Sequence, residues 1–173
     1  MSGSLRGQLL IAAPSLFDYF RRSVILVLEH SEDGAMGVVL NRRSETLVAD
    51  AVPALAALPG AEEAVYVGGP VAPASVVALG VFDDPSEAGT QVTGALGTLD
   101  PDRPSPSLQR LRVYAGYAGW AAGQLDGELE EGAWIVESAG EGDPFSDGDI
   151  WSDALRRKGG GYSLLATMPG DPS

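Results

Sequence analysis

Ser23-Val24-Ile25-Leu26-Val27-Leu28-Glu29-His30 and Ala35-Met36-Gly37-Val38-Val39-Leu40-Asn41, joined by Ser31-Glu32-Asp33-Gly34, decide the fold class. A run of β-branched and apolar residues as dense as the first suits a strand buried on both faces. The joining residues supply turn chemistry, with Gly34 free to take positive φ, so the second run returns beside the first as a hairpin ending at Asn41. The first strand carries Glu29 and His30 at its end.

Outward from this hairpin the chain continues to favour strands. Upstream, Leu9-Leu10-Ile11-Ala12 reads as a short buried strand closed by Ala13-Pro14-Ser15, and Leu16 to Phe20 as one turn or a short helix with Phe17, Tyr19 and Phe20 in the core. Downstream, the spacing of Leu47, Val48, Ala51, Leu55 and Leu58 predicts a helix over 46–58 that Pro53 kinks or divides. Ala64 to Val67 predicts a strand running into Gly68-Gly69-Pro70, with Ser75 to Phe82 a second strand able to pair beside it.

Asp83 to Thr90 and the proline-bearing span Asp100 to Ser107 (Pro101, Pro104, Pro106) read as loops. Leu111 to Tyr117 predicts a strand that Gly119-Trp120 turns into a helix carrying Gln124, Leu125, Glu128 and Leu129. Ala133 to Val136 predicts a further strand. Ser146 or Asp147 caps a last helix with Ile150, Trp151, Ala154 and Leu155 on its apolar face, Arg156, Arg157 and Lys158 at its C-terminal dipole and Gly159 as its stop. Strands outnumber helices and several form adjacent hairpins, which predicts an α+β domain with a curved, largely antiparallel sheet rather than a doubly wound parallel one.

A length of 173 residues at 45% hydrophobic supports one domain spanning 1–173, with a core from about residue 7 to 158 between flexible ends. The absence of cysteine excludes disulfides and thiolate metal sites. The apolar run Leu9 to Ala13 ends at Pro14, too short for a signal peptide or a span, so a cytoplasmic protein with no membrane partner is expected. The formal charge of −13, from 24 acidic against 11 basic residues, repels phosphate backbones and disfavours direct nucleic-acid binding.

His30 is the sole histidine, which excludes two-histidine metal motifs, and no metal or cofactor is expected. With Glu29 beside it and Glu32 and Asp33 close by, His30 reads as a general base, as part of a weak carboxylate-rich metal site, or as a histidine that satisfies hydrogen bonds at a hairpin end. No serine sits in the Gly-x-Ser-x-Gly elbow of a hydrolase. Gly68-Gly69-Pro70 lacks the third glycine of a dinucleotide fingerprint and reads as a tight turn where backbone approaches backbone. Gly116 to Gln124 reads either as a glycine turn that holds an anion before a helix or as close helix–strand packing; Arg112 would partner that anion, or a buried carboxylate.

Several stretches, taken in order, resemble the AlgH/YqgE family of bacterial proteins. They are Gly7-Gln8-Leu9-Leu10-Ile11-Ala12 with Pro14, Arg22-Ser23-Val24 through Glu29-His30, Gly34 through Arg42, Gly68-Gly69-Pro70-Val71, Arg112-Val113-Tyr114 with Gly116-Tyr117-Ala118-Gly119-Trp120, and Gly123-Gln124-Leu125 with Glu128-Leu129, then Trp134 and Trp151. Arg43, Asp126 and Ala121-Ala122 depart from the family's pattern. The resemblance implies a single α+β domain whose bent sheet forms a partial barrel flanked by helices. It implies no established enzymatic activity, cofactor or partner, and brings a transcriptional-regulator label.

Three functions follow. The first is a binding or regulatory module that holds a protein partner or a small anionic ligand beside the Gly116 to Gln124 turn, with any transcriptional effect indirect. The second is an enzyme using His30 with Glu29, in which Asn41 or Arg112 stabilises charge; it requires His30 to face a cleft and approach Arg112 or Gln124. The third is direct DNA binding through Arg21, Arg22, Arg42, Arg43 and Arg156 to Lys158, against the sign of the net charge. The residues expected to line a functional surface are Glu29, His30, Asn41, Arg112, Tyr117, Trp120 and Gln124, at strand ends and turns.

Overall fold

In the computed structural model, which describes residues 4–14, 20–100, 105–146 and 148–165, the predicted hairpin is Val24–Ser31 (β2) and Gly34–Val39 (β3), paired antiparallel from Ile25↔Val39 to Ser31↔Gly34 with an irregularity between Val27 and Glu29. Gln8–Ala12 (β1) lies beside β2, and Trp134–Ser138 (β10) lies beside β1.

The other half of the sheet is built on Leu108–Ala121 (β9), the longest strand described. Its C-terminal end pairs with β3. Further back it pairs antiparallel with Val71–Phe82 (β6) on one side and parallel with Ala64–Val67 (β5) on the other. Arg43–Leu47 (β4) extends from β5, while Leu96–Thr98 (β8) and Gln91–Thr93 (β7) extend from β6. The sheet therefore runs β10-β1-β2-β3-β9-β6-β8-β7.

Its end strands share no ladder, so the sheet is not closed. The ends nonetheless meet through other groups. Arg6 donates to the Gln91 carbonyl and the Ala95 N–H to the Glu141 carboxylate. At Gly7 the backbones come so near that a Cβ would lie 2.9 Å from the Val92 carbonyl oxygen.

Alternation along each strand divides the core. Leu9, Ile11, Leu26 and Leu28 face inward with Leu79, Leu96 and Tyr114, beneath Trp151 and Leu155 of Ile150–Lys158 (α3). Leu10, Ala12, Ile25 and Val27 face outward, under Leu125 of Gln124–Glu130 (α2) and the indoles Trp120 and Trp134. Both faces are buried, which is why these strands read as unbroken apolar runs. A third cluster joins Val65, Phe82, Leu111 and Val113 to Val48 of Val48–Ala51 (α1) and to Leu55. A short helix, Tyr162–Leu165 (α4), follows α3, and among the described residues no helix is long and apolar enough to cross a membrane.

Several local expectations are corrected. The helix expected over 46–58 is strand through Leu47, one turn of α1, and a separate 3-10 turn Pro53–Leu55, because Pro53 has no N–H to continue a helix and Arg43 to Leu47 is held in register by β5. The strands at 64–67 and 75–82 do not pair, since β9 lies between them. Gly68 and Gly69 carry the chain across β9: a Cβ on Gly69 (φ +155) would sit 2.2 Å from the Tyr117 carbonyl carbon.

Gly119 does not end its strand; β9 runs on to Ala121 and α2 starts at Gln124 after Gly123. The β7–β8 hairpin was unanticipated, and the loop at 83–90 holds a 3-10 turn, Pro85–Glu87. The cap of α3 is Asp149, which accepts from the Ser152 N–H at 3.1 Å and the Ser152 hydroxyl at 2.8 Å, rather than Ser146. The turn expected at 16–20, apart from Phe20, lies outside the described residues, as do Pro101, Pro104 and Asp147.

Two stability predictions follow. Gly69→Ala is expected to destabilise by more than about 2 kcal/mol through backbone overlap, whereas Gly127→Ala in α2, where an added Cβ meets nothing within 4 Å, gains roughly 0.5–1 kcal/mol. Urea denaturation of both variants checks the contrast. At Asp149, burial opposes ionisation, but the Ser152 bonds together with Arg22 and Arg156 outweigh it and hold the carboxyl below its ordinary 3.8. A depressed carboxylate contributes stability above its unfolded value and loses it as pH falls through the folded one. Asp149→Ala should therefore cost about 1 kcal/mol at neutral pH, and denaturation in acid should show the gap to wild type narrowing below pH 3.8.

Candidate functional site

The ladder leaves one strand segment open. β8 covers β6 only from Leu79 to Val81, with the Leu99 N–H donating to the Ala78 carbonyl. Among the described residues, Val71 to Val77 have no ladder partner on that outer side. The register with β9 also slips between Val71 and Val76, where Ala72 takes φ +46, and residues 71–76 are exposed.

Hollows lie on both faces of this edge. One, of about 260 Å³, opens at the mouth of the partial barrel between Leu28, Glu29, Met36, Val77, Val92 and Thr98. A second, of about 190 Å³, is walled by Val52, Ala54, Leu55, Val76, Ala78 and Leu99 on the opposite face. The two share Val76, Ala78 and Leu99. A third, of about 230 Å³, adjoins the first at Glu29 and Met36 and is lined by Ser31, Asp33 and Trp120, so its charge is negative.

Of the expected site residues, Glu29 and Trp120 line these hollows. His30 lines none of them. Its side chain is 8% exposed, its Nδ1 accepts from the Leu5 N–H at 2.9 Å, and its Nε2 lies 3.7 Å from Asp126 of α2. Asn41 is a backbone clamp, accepting from the Val24 N–H at 3.1 Å and donating to the Arg22 carbonyl at 2.9 Å. Tyr117 is half-buried against the barrel interior, on the stretch of β9 that Gly69 crosses.

Arg112 is buried. It donates to the Pro144 carbonyl at 2.7 Å, lies 3.5 Å from Glu63 and stands 4.3 Å over the Tyr66 ring. His30 and Arg112 have no common partner among the described residues. Of the two readings of 116–124, the glycine turn before a helix is absent, since Gly116 and Gly119 are within β9, and the Gln124 side chain folds back to accept from the Ala121 N–H at 3.0 Å.

Glu128, singled out by the sequence only as a helix residue, is the hub beneath this region. Its Oε1 accepts from the Trp120 indole at 2.9 Å and the Trp134 indole at 2.8 Å, and its Oε2 accepts from Gln124 at 3.1 Å. The two indoles meet edge to face at 6.2 Å. One carboxylate thus fixes α2 to β9 and β10 and sets the tryptophan that walls the acidic hollow.

An AlgH-like family model matches residues 9–163. The chain belongs to the AlgH-like family. A relative from Streptomyces coelicolor, UPF0301 protein SCO2948, is 43% identical over 98% of this chain and 95% of its own length, and one from Nocardia farcinica is 42% identical over 94% and 82%. The crystal structure of protein DIP2367 from Corynebacterium diphtheriae superposes with a TM-score of 0.85 at 34% identity, covering 97% of this chain and 94% of that one. The solution structure of the AlgH protein from Pseudomonas aeruginosa gives 0.71 at 32%, covering 99% and 98%. The AlgH-like fold is therefore common to these chains, and the family names carry no biochemical activity.

The residues that sequence reading did not assign to a site in this AlgH-like chain are Met36, Val76 and Ala78; for the last two the signal was Pro73, just ahead of the expected strand and a mark of an edge, and nothing marked Met36. The Glu128 hub is testable because Trp151 supplies an internal control: its indole donates to the Ala12 carbonyl at 2.8 Å, away from Glu128. Glu128→Ala is expected to move the Trp120 and Trp134 indole N–H resonances and leave that of Trp151 in place, with a stability loss of about 2 kcal/mol for two charge-assisted bonds.

Proposed function

We propose that this chain is a cytoplasmic binding and regulatory module that docks an extended segment of a protein partner along the open edge of β6. The observation that carries the reading is that edge itself: an unpaired strand segment with a hollow on each face, apolar on the Val52–Ala78 side and mixed at the barrel mouth, where Glu29, Thr90 and Thr98 join the apolar residues. A peptide added as a strand sends alternate side chains to opposite faces, and backbone bonds supply affinity while the hollows select side chains. Here alternate side chains would enter the barrel mouth and the Val52–Ala78 hollow. Pro73 and the positive φ of Ala72 interrupt the first part of the edge, which leaves Ala74 to Val77 as a short docking length and guards against indiscriminate pairing.

Charge selects the partner further. The chain carries −13 overall, and Glu29 and Asp33 line the adjoining hollow. The segment that fits alternates apolar with small residues and ends in lysine or arginine. The same field opposes a direct DNA contact, so an effect on transcription would pass through the bound protein. The hydrogen bond from Leu5 to His30 favours a structural over a catalytic role for that histidine.

Fluorescence anisotropy with a labelled peptide of alternating valine and threonine ending in two lysines tests the reading. Binding should be lost when the order is scrambled, fall when the lysines become glutamates, and fall at least tenfold in Val76→Asp, a residue 46% exposed and so free to vary without unfolding. Equal binding of the scrambled peptide would sink the proposal. So would sedimentation showing that wild type self-associates through this edge while Val76→Asp is monomeric.

A further inference from the structure

On the other side of β9 from the open edge lies a polar cavity of about 200 Å³ lined by Arg43, Glu63, Ala64, Tyr66 and Arg112. Register explains the gathering. Arg43 of β4 stands opposite Tyr66 of β5, Tyr66 stands opposite Tyr114 of β9, and Arg112 precedes Tyr114 by two residues, on the same face. Two arginines thus line one cavity in a protein that is otherwise strongly acidic.

The two arginines differ in a way that suits a ligand. Arg112 has a side chain 3% exposed and is oriented by the Pro144 carbonyl and the Tyr66 ring, so its position is set before anything binds. Arg43 is exposed, and its side chain has no hydrogen bond or ion pair among the described residues. Glu63 lies 3.5 Å from Arg112, longer than a tight charge-assisted bond, with its side chain 49% exposed and able to turn away. The Tyr114 hydroxyl, fully buried beside this cluster, has no hydrogen-bond partner among the described residues.

We infer that this cavity binds the phosphate group of a small phosphorylated molecule, held between Arg43 and Arg112 with Glu63 displaced. A carboxylate is already present and sits loosely, so a monoanion offers little advantage over it. A phosphate monoester dianion brings a second charge and a third oxygen, and guanidinium groups match it in paired hydrogen bonds. Glu63 then acts as an internal competitor that sets the threshold for binding.

Calorimetric titration of the full chain with inorganic phosphate and with glycerol phosphate, against acetate at equal ionic strength, tests this. Saturable binding of at least one phosphate compound, weaker or absent for acetate, is expected, and the tighter of the two identifies the source of the group. Arg43→Ala should weaken binding at least tenfold, and Glu63→Gln should strengthen it several-fold; circular dichroism confirms that both variants are folded. Affinity should rise with pH near 6–7, where phosphate takes its second charge. Phosphate compounds that bind no better than acetate, or equal affinity in wild type and Arg43→Ala, would overturn the proposal. Because the peptide assay reports on β6, either site can fail without the other.

Discussion

The backbone ladder of β9 is the constraint on which the rest of the molecule depends. Its N-terminal part holds β6 on one side and β5 on the other, and its C-terminal end holds β3. The hairpin half and the β6 half of the sheet share one continuous ladder because this strand runs through Gly116 and Gly119 without stopping. Its side chains serve both faces, with Val113 in one cluster and Tyr114 in another. Helices are secondary to it: α2 is pinned through Glu128 and α3 through Trp151, each by indole N–H groups that reach a fixed oxygen.

What was legible in the sequence follows from which elements are specified locally. The β2–β3 hairpin has dense β-branched runs around a glycine turn, and it forms where expected. The apolar face of α3 and its basic end are likewise where the 3.6-residue period puts them. The curved antiparallel sheet was readable from hairpin count alone. By contrast, β4 has a helix-like spacing and no buried residue of its own, so its strand state comes from pairing with Ala64 and Tyr66, which no local pattern encodes. The insertion of β9 between β5 and β6 is a contact of long sequence separation, and Gly68-Gly69 signalled a close approach without saying to what.

The candidate site was legible in part for the same reason. Polar residues at strand ends were the natural choice, and four of them prove to be engaged within the fold: His30 with Leu5, Asn41 with the backbone on either side of Ser23, Gln124 with Ala121 and Arg112 with Pro144. Their polarity is spent on backbone groups of the fold, from the buried Pro144 carbonyl to the exposed Ala121 N–H. Glu29 and Trp120 remain at the surface hollows. The open edge itself is made of alanine, proline, serine and valine, and stays open because β8 is too short to cover it. That property belongs to the register of two strands and to neither sequence.

The open β6 edge and the arginine cavity stand on opposite sides of one strand, through the row Val77, Tyr114 and Tyr66. This arrangement gives the two proposals a common physical basis. A strand added to β6 completes the sheet on the Val77 side, and a ligand between Arg43 and Arg112 clamps it on the Tyr66 side, so both act on the same ladder. Two rows cross β9 between them, Val76–Ala115–Val67 and Val77–Tyr114–Tyr66, and in the second the Tyr114 ring is fully buried, with burial raising its hydroxyl's pKa and the nearby Arg112 charge opposing that rise. Any such coupling is reciprocal by linkage, since whatever one occupant does to the affinity for the other is returned in equal measure. A module in which a small phosphorylated molecule adjusts the grip on a protein segment would need no more machinery than a shared strand with one free edge and one charged one.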